Sequence, residues 1–582
     1  MSSRRSPLGA PTSISAPAPR PAPRLASWLA AAPRSRLALR LAPLLAPLLA
    51  CSSAGDLGEQ DSTSSASIYN NTDSTGPVSG DTSPVSGGGS TSGQSGGTDN
   101  SDDGQGTGSD PGGTSTGGPP ELPAPEPVPE DILETAKTEL DACDLLTPVS
   151  FNLRTVDASA TVSPTQARDA ALSDWVSLTG IRIRPWEFFN YYSFSYPAAD
   201  FGGLAITPQL KLAAGEDDSN PEFTLQVGLT THALTAEQRP PVRLVLALDN
   251  SNSMSGKAQD MLRATGKAIA GSLREGDVLS IVTWNAKNPV ILELHNITGP
   301  GDSVVLTKLD QLELGGSAEL YSGLMTAYKL ADAGFEPQAW NRVVLVSDGG
   351  ATANDTDLAV IADHAQKPGI YLTGVGVGDA GIYRSDMMDA AAHAGRGASL
   401  FVGNEAEADK RFGAQFIRTL GAAVRELQVH IDLPAGFSVV RDPDQDSLTN
   451  PDISAGGVRL GPNSSLVLHR RLRSCDPLAG QDGKLIVSVD YIDEATGVLK
   501  SNKAAVPLAD LLAEPPASQT SLFKGIALQS YAEALARWQA RPLDLPTILA
   551  DAAARLKAAL DLLPNDPELA EMAAIIEILS TD

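Results

Sequence analysis

The chain has 582 residues, of which 43 are basic and 70 are acidic, so its formal net charge at neutral pH is −27. Residues 1–50 carry seven arginines and no acid, and the remainder therefore has 36 basic and 70 acidic residues and a net charge of −34. Because phosphate binding needs concentrated lysine and arginine, this composition argues against nucleic acid as a partner. The length suffices for about three or four domains.

Residues 1–50 combine a basic region with a short apolar stretch, Leu41–Ala50, that ends directly before Cys51. This arrangement resembles a bacterial lipoprotein signal, which implies cleavage before Cys51 and lipidation of that cysteine. The apolar stretch is too short to span a bilayer. We therefore expect a lipid-anchored protein of the bacterial cell envelope, at the outer membrane or cell surface rather than the inner membrane. The alternative is an Ala/Pro-rich leader with an incidental cysteine.

Residues 51–129 have the composition of a linker. Between Ser52 and Ala136 there is no lysine or arginine, and Ser, Gly, Thr, Asp and Pro dominate. Such a segment cannot bury enough apolar surface to offset the loss of chain entropy on folding. We predict a disordered tether that holds the folded part away from the membrane surface.

The folded part is predicted to begin near Pro129. Glu130–Cys143 has apolar residues at helical spacing, and Phe223–Leu229 alternates as a strand does. Between them, Trp186–Tyr196 forms an aromatic cluster. We interpret this cluster as a packing surface against a neighbouring domain rather than a binding platform, since buried aromatic side chains are ordinary core.

From residue 242 onward, strand and helix patterns alternate, which predicts a parallel sheet covered by helices on both faces. The apolar run Val242–Leu248 reads as a strand buried on both sides. Later predicted elements include the strands Val278–Trp284, Val290–Leu294 and Arg342–Ser347, and a closing helix over Glu405–Val424.

Oxygen-bearing side chains follow two of these strands. Asp249 ends the first strand, Ser251 and Ser253 come next at alternate positions, and Asp348 ends the strand Arg342–Ser347. Ligand sites of open α/β sheets lie outside the carboxyl ends of the strands. Carboxylate and hydroxyl oxygens suit a hard cation such as Mg²⁺. The alternative is a polar turn that caps the following helix.

Asp249, Ser251 and Ser253, with Met254 after them, resemble the metal-ion-dependent adhesion site of the von Willebrand factor A domain. That resemblance implies a doubly wound α/β fold and a Mg²⁺ ion at the top of the sheet, with Mn²⁺ or Ca²⁺ as alternatives. It also implies that a partner protein completes the coordination with an acidic side chain. The family usually supplies a threonine as well, and its position here is occupied by Ala318. Ser317 could replace it if the loop shifts by one residue.

The flanking segments resemble those of a family of bacterial von Willebrand factor A lipoproteins. Arg182, Arg184, Glu187 and Tyr196-Pro197 match the domain that precedes the A domain, and Leu427 to the end matches the C-terminal domain as an antiparallel β unit with a helical tail. We therefore place domains at 130–240, 241–425 and 426–582. Cys143 and Cys475 could pair in an oxidising envelope, although their spacing gives no signal.

Three common motifs of catalytic or metal sites are missing from the sequence. It has no H-E-x-x-H, P-loop or cysteine-based zinc spacing, and its six histidines are scattered singly. We therefore expect a non-enzymatic envelope lipoprotein that binds a protein partner through its metal site. One alternative is a metal-free assembly scaffold, which Ala318 favours. Another is a hydrolase whose nucleophile and base meet only in the fold.

Overall fold

The computed structural model describes residues 145–153, 159–173, 177–213, 221–285, 289–440, 458–475 and 482–581. All of them belong to one unit, residues 120–582. The predicted lipoprotein signal with Cys51, the predicted tether and the predicted helix Glu130–Cys143 lie outside the described residues. Cys475 is disulfide-bonded, while Cys51 and Cys143 fall outside these ranges. No helix within the ranges is both long and apolar enough to cross a membrane.

The strands of the described ranges are numbered in chain order. They are β1 (Val149–Leu153), β2 (Leu204–Leu212), β3 (Glu222–Thr231), β4 (Val242–Asp249), β5 (Val278–Trp284), β6 (Val290–Asn296), β7 (Trp340–Ser347), β8 (Tyr371–Val377), β9 (Arg396–Val402), β10 (Val424–Leu433), β11 (Phe437–Val439), β12 (Val458–Leu460), β13 (Ser465–Ser474), β14 (Lys484–Asp493) and β15 (Leu499–Pro507).

The α-helices of the same ranges are numbered likewise. They are α1 (Val162–Ala171), α2 (Pro185–Tyr191), α3 (Lys257–Ser272), α4 (Ser303–Asp310), α5 (Leu320–Ala333), α6 (Asp355–Gln366), α7 (Asp386–Ala394), α8 (Glu405–Ala408), α9 (Phe416–Leu420), α10 (Leu508–Ala513), α11 (Thr520–Ala540), α12 (Leu545–Leu562) and α13 (Pro567–Thr581).

The central sheet has the strand order β6-β5-β4-β7-β8-β9. Along β4, Leu244, Leu246 and Leu248 belong to one apolar core, whereas Val245 and Ala247 belong to the core on the opposite face. This alternation confirms the predicted α/β sheet covered by helices on both faces, because successive side chains of a strand point to opposite sides.

The sheet is parallel, as predicted, except at one edge. Strand β6 pairs antiparallel with β5, while the other neighbouring strands of this sheet are parallel. Only residues 285–289 connect β5 to β6. A parallel crossover needs about a dozen residues or more, so this short connection dictates a hairpin.

Two further predictions fail at the other edge of the sheet. The predicted helix over Glu405–Val424 is interrupted by a π-helical turn at Asp409–Ala414, and Val424 already belongs to β10. Strand β9 was not predicted, because Gly395 and Gly397 on either side of its first residue, Arg396, weaken the strand pattern. Gly397 lies so close to β8 that an added Cβ would stand 1.9 Å from the Leu372 carbonyl oxygen.

The flanking segments combine in two antiparallel sheets. One sheet has the order β1-β10-β14-β15, with β12 also on β10, and the other has the order β11-β13-β3-β2. Leu225 and Val227 of β3 share a core with Val429 of β10 and Val487 of β14, so the sheets pack face to face. The domain boundaries stay predictions, but both flanking segments contribute strands to both sheets.

The aromatic segment lies at the meeting point of these parts. The Phe188 ring on α2 contacts Tyr531 on α11 edge-on at 5.8 Å between centroids, and Phe189 stacks on His469 of β13 at 5.3 Å. The Tyr191 hydroxyl donates to Glu407 over 2.9 Å. The interpretation of this segment as a packing surface is confirmed.

Candidate metal site

The strand register brings the two predicted carboxylates to one edge of the sheet. Strands β4 and β7 are parallel neighbours, and Leu248 pairs with Val346. Asp249 therefore ends β4 at the level of Ser347, and Asp348 follows at the next position. This place, outside the carboxyl ends of adjacent parallel strands, is where α/β sheets bind ligands.

Asp249 is almost fully buried, with 1% of its surface exposed, and both of its oxygens accept hydrogen bonds. Its Oδ1 accepts from the Ser251 N–H at 2.9 Å, and its Oδ2 accepts from the Ser347 hydroxyl at 2.7 Å. Ser347 was not among the predicted site residues. Its position directly before Asp348, at the end of a strand, was the signal that could have found it.

The two serines of the motif lie together. The Ser251 and Ser253 hydroxyl oxygens are 3.1 Å apart, with Ser251 buried and Ser253 exposed. Asp348, which follows β7, lies near these serines. A Cβ added to Gly350 would lie 3.0 Å from Asp348 Oδ1 and 3.8 Å from Ser253 Oγ, so both side chains border the same point. The four residues Asp249, Ser251, Ser253 and Asp348 thus form one cluster.

The cluster carries negative charge that no basic side chain of the described residues balances. Burial raises the pKa of the Asp249 carboxyl, and the charge of Asp348 raises it further, against hydrogen bonds from Ser251 and Ser347 that lower it. Within the described ranges, no ion pair joins Asp249 or Asp348 to a lysine, arginine or histidine. Paired carboxylates without a counter-charge favour a bound cation.

The loop predicted to supply the fifth ligand lies beside the loop that follows Asp249. The Gly315 N–H donates to the Asn250 carbonyl at 2.8 Å, and the Asn252 N–H donates to the Gly316 carbonyl at 3.1 Å. Gly316 has a φ of +83°, a conformation that glycine adopts without strain. The loop is thus in place for a ligand.

The side chains of this loop do not provide a clear metal ligand. Ser317 is exposed, and no hydrogen bond to the other four residues is found in the described structure. Ala318 packs its methyl group against the apolar core. The structure therefore brings four of the five predicted ligand residues together and leaves Ser317 at the margin.

The donor set fits a hard divalent cation. Two carboxylates and two hydroxyls offer only oxygen ligands, and the exposed side of the cluster leaves room for the waters that Mg²⁺ keeps. Across the described ranges, no group of three or more His, Cys, Asp or Glu side chains is arranged to hold a metal ion. Metal binding at this site therefore depends on the serine hydroxyls as well as the carboxylates.

Comparison with known proteins identifies the central sheet and its helices. Residues 244–409 match the family model of the von Willebrand factor type A domain. The uncharacterised protein YfbK of Escherichia coli is 24% identical over 307 residues, which cover 50% of this chain and 53% of that protein. This chain therefore spans about half the length of that relative.

Two solved structures are also similar. A von Willebrand factor type A protein from Catenulispora acidiphila is 17% identical, with a TM-score of 0.39, over 64% of this chain and 88% of its own. Proximal thread matrix protein 1 from the mussel byssus, with zinc in its metal-ion-dependent adhesion motif, is 15% identical, with a TM-score of 0.26, over 31% of this chain and 48% of its own.

Domains of the matched family often act as interaction modules that depend on a divalent metal. The strand order, the cluster at the sheet edge and the matched residues agree in this chain. Residues 244–409 therefore form a von Willebrand factor type A domain.

Proposed function

We propose that this protein binds a partner protein through a divalent cation held at the carboxyl ends of β4 and β7. One observation carries the proposal, namely the two neighbouring carboxylates of Asp249 and Asp348 that have two serine hydroxyls beside them and no basic partner. Mg²⁺ is the first candidate because all the donors are hard oxygens, and Mn²⁺ or Ca²⁺ are alternatives.

The roles of the residues differ. Asp249 is fixed by its two hydrogen bonds and supplies buried negative charge, while Asp348 and Ser253 lie toward solvent, where a ligand can approach. The bound cation would supply a positive charge that attracts an acidic side chain of the partner. No catalytic step is part of this proposal, and we propose a non-enzymatic role.

The cellular setting is a proposal of its own. We propose that Cys51 is acylated and that the low-complexity segment tethers the folded unit to the bacterial envelope. Metabolic labelling with radioactive palmitate would give a labelled protein that the Cys51→Ser variant lacks. Equal labelling of both proteins would contradict the lipid anchor.

The metal site is tested by calorimetric titration of Mg²⁺ and Mn²⁺ into the full chain. We expect saturable binding that weakens at least about tenfold in Asp249→Asn and in Asp348→Asn, since each loses one charged ligand. Asp551→Asn is the matched control, because Asp551 is an exposed carboxylate far along the chain that pairs with Arg555. Unchanged affinity in a folded Asp249→Asn protein would overturn the proposal.

The partner chemistry is tested separately. An array of acidic peptides, each beside its counterpart with Gln for Glu and Asn for Asp, would be probed in Mg²⁺ and in EDTA. We expect binding that needs the acidic residue and the metal and that Asp249→Asn loses. Binding that survives in EDTA would place the contact elsewhere on the molecule.

A metal-free scaffold is the second candidate, and two observations favour it. Ala318 occupies the position of the family threonine, and both oxygens of Asp249 are already hydrogen-bonded within the protein. Absence of saturable metal binding in the natural chain, together with its appearance in Ala318→Thr, would put the scaffold first.

A hydrolase is the third candidate, and the structure provides a specific place to test. The Ser150 hydroxyl lies 2.9 Å from His430 Nε2, and His430 Nδ1 lies 2.8 Å from Asn152 Oδ1. However, Ser150 also donates to Asp432 at 2.5 Å, so its proton is held by a carboxylate. Turnover of generic esters that Ser150→Ala loses would favour this candidate, and equal turnover would dismiss it.

A further inference from the structure

A small cavity lies where three distant parts of the chain meet. Its volume is 40 Å³, and its lining includes Thr161 before α1, Arg411 and Arg418 after α8, and Arg459 of β12. We call it the arginine cavity. It is separate from the metal site, whose residues do not line it.

The guanidinium groups of the arginine cavity outnumber the carboxylates that pair with them. Arg411 Nε lies 2.7 Å from Glu407, and Arg459 Nη2 lies 3.4 Å from Glu494. Arg418 donates from Nη2 to the Asn190 carbonyl at 2.7 Å, and no ion pair to it is found in the described ranges. Glu494 also pairs with Arg425 at 3.3 Å. Because arginine stays protonated in proteins, at least one positive charge is left over among the residues that line the cavity.

Two buried polar atoms at the cavity have no hydrogen-bond partner among the described residues. They are Arg411 Nη2 and Thr161 Oγ1, and each of these residues has only 3% of its surface exposed. A buried donor left unsatisfied lowers stability, and almost all such groups in native proteins have a partner. Both atoms belong to residues that line the same cavity.

The neighbouring guanidinium groups also repel one another. Burial, and then the charge of Arg411, lower the pKa of Arg418 to about 10. Arg418 therefore remains charged at neutral pH in a place that disfavours its charge. An anion between the arginines would offset this repulsion and accept hydrogen bonds from Arg411 Nη2 and Thr161 Oγ1.

We propose that the arginine cavity binds one small monovalent inorganic anion of the size of chloride. The excess of positive charge favours an anion at this place. The volume of the cavity limits the size of the anion. One buried water needs about 10–15 Å³, so a cavity of 40 Å³ has room for about three waters, or for a halide with a water. The anion links the segment before α1, the segment that follows the von Willebrand factor type A domain, and strand β12.

The test is thermal unfolding of the full chain in sodium chloride and in sodium gluconate at equal ionic strength. Gluconate is too bulky for the cavity. We expect a saturable rise in Tm of about 2 °C or more with chloride, because a ligand that binds only the folded state stabilises it. Arg418→Met removes the excess charge and is expected to lose the rise. Arg555→Met is the matched control, since Arg555 is exposed, and is expected to keep it.

Crystals of the unmodified chain soaked in sodium bromide provide a second measurement that needs no variant. We expect an anomalous bromide peak within hydrogen-bond distance of Arg411 Nη2. No peak there, together with equal Tm values in chloride and gluconate, would overturn the proposal. A saturable rise with phosphate or sulfate but not with chloride would also overturn it, because the site would then take an oxyanion.

Discussion

The metal site and the arginine cavity each gather charges of one sign, and they differ in how solvent reaches those charges. At the metal site Ser253 is exposed and Asp348 is partly exposed, so water can solvate the carboxylates before any ion arrives. At the arginine cavity the Arg411 and Thr161 atoms that lack a hydrogen-bond partner in the described part of the chain are buried. Water does not solvate these atoms from outside, so the charge and the hydrogen-bond donors need a partner inside the protein.

This difference separates two kinds of ion binding. An open cluster of charge can exchange its ligand and present it to a partner, as the proposed adhesion function requires. A buried cluster suits a resident ion whose removal lowers the stability of the whole unit. The ion pair of Arg239 and Asp277 provides a reference for both sites. Its two side chains are almost fully buried, and the chain itself supplies both the positive and the negative charge.

The largest expected effect comes from breaking that reference pair. Asp277 accepts from Arg239 Nη1 at 2.9 Å and Nη2 at 2.5 Å, and from the Val242 N–H at 2.8 Å. Asp277→Ala leaves Arg239 buried and unpaired, which is expected to lower the free energy of unfolding by about 3–5 kcal/mol. Urea unfolding measures it, with Asp551→Ala as an exposed control expected to change it by about 0.5 kcal/mol or less.

A decrease of less than about 1 kcal/mol in the free energy of unfolding of Asp277→Ala would contradict the contrast between the open and the buried charge clusters. It would mean that this interior tolerates a lone guanidinium, and Arg418 would then need no anion.

The second prediction concerns the open site. Mg²⁺ at about 100 times its Kd is expected to raise the free energy of unfolding of the natural chain by about 2.7 kcal/mol. In Asp249→Asn, binding that is weaker by about tenfold or more is expected to reduce this rise to about 1.4 kcal/mol or less. In EDTA the variant is expected to be at least as stable as the natural chain, since it lacks one of two mutually repelling carboxylates. Urea unfolding in Mg²⁺ and in EDTA checks both. Equal stabilisation of the variant would contradict the metal assignment.

The third prediction uses a buried excess of negative charge. Arg184 pairs with both Glu187 at 2.6 Å and Asp389 at 2.7 Å. Burial, and then the charge of Asp389, raise the pKa of the Glu187 carboxyl from 4.5 to about 7, although Arg184 and the Ser163 N–H oppose the shift. Here a proton relieves the excess charge that a metal ion would relieve at the open site.

The sign of the pH dependence follows from the raised pKa. The folded state holds the Glu187 proton more tightly than the unfolded chain, so this stability is full below 4.5 and is lost as pH rises through about 7. Between about pH 5 and about pH 8 the change is on the order of 2 kcal/mol. Glu187→Gln and Asp389→Asn are each expected to flatten the dependence of the urea midpoint on pH. If the urea midpoint of Glu187→Gln depended on pH as steeply as that of the natural chain, the raised pKa of Glu187 would be contradicted.

The smallest expected effect refines the open site. Ala318→Thr restores a hydroxyl at the family position and is expected to tighten Mg²⁺ binding by about tenfold, or about 1.4 kcal/mol. Ala318→Val has the same branched shape without the hydroxyl and serves as the control. Titration calorimetry compares the two, and equal affinities would show that the loop does not bring position 318 to the ion.

The predicted and observed structures agree best where local pattern is sufficient. The run that ends at Asp249 and the strand that ends at Ser347 each carry their own signal of burial, and the α/β alternation makes them parallel. The sequence therefore predicted the clustering of Asp249, Ser251, Ser253 and Asp348. Ser347, the helix break after Ala408 and strand β9 were missed, because glycines and short elements give weak periodic signals.

What the sequence by itself determined is the α/β domain with its carboxylate and serine cluster, because strand periodicity and the placement of strand ends are local properties. The tertiary structure alone decided that β1 pairs with β10, that β3 pairs with β13, and that Thr161, Arg411, Arg418 and Arg459 share one cavity. Periodicity reports that a residue is buried but not against what. Partners hundreds of residues apart are selected only when the whole core packs.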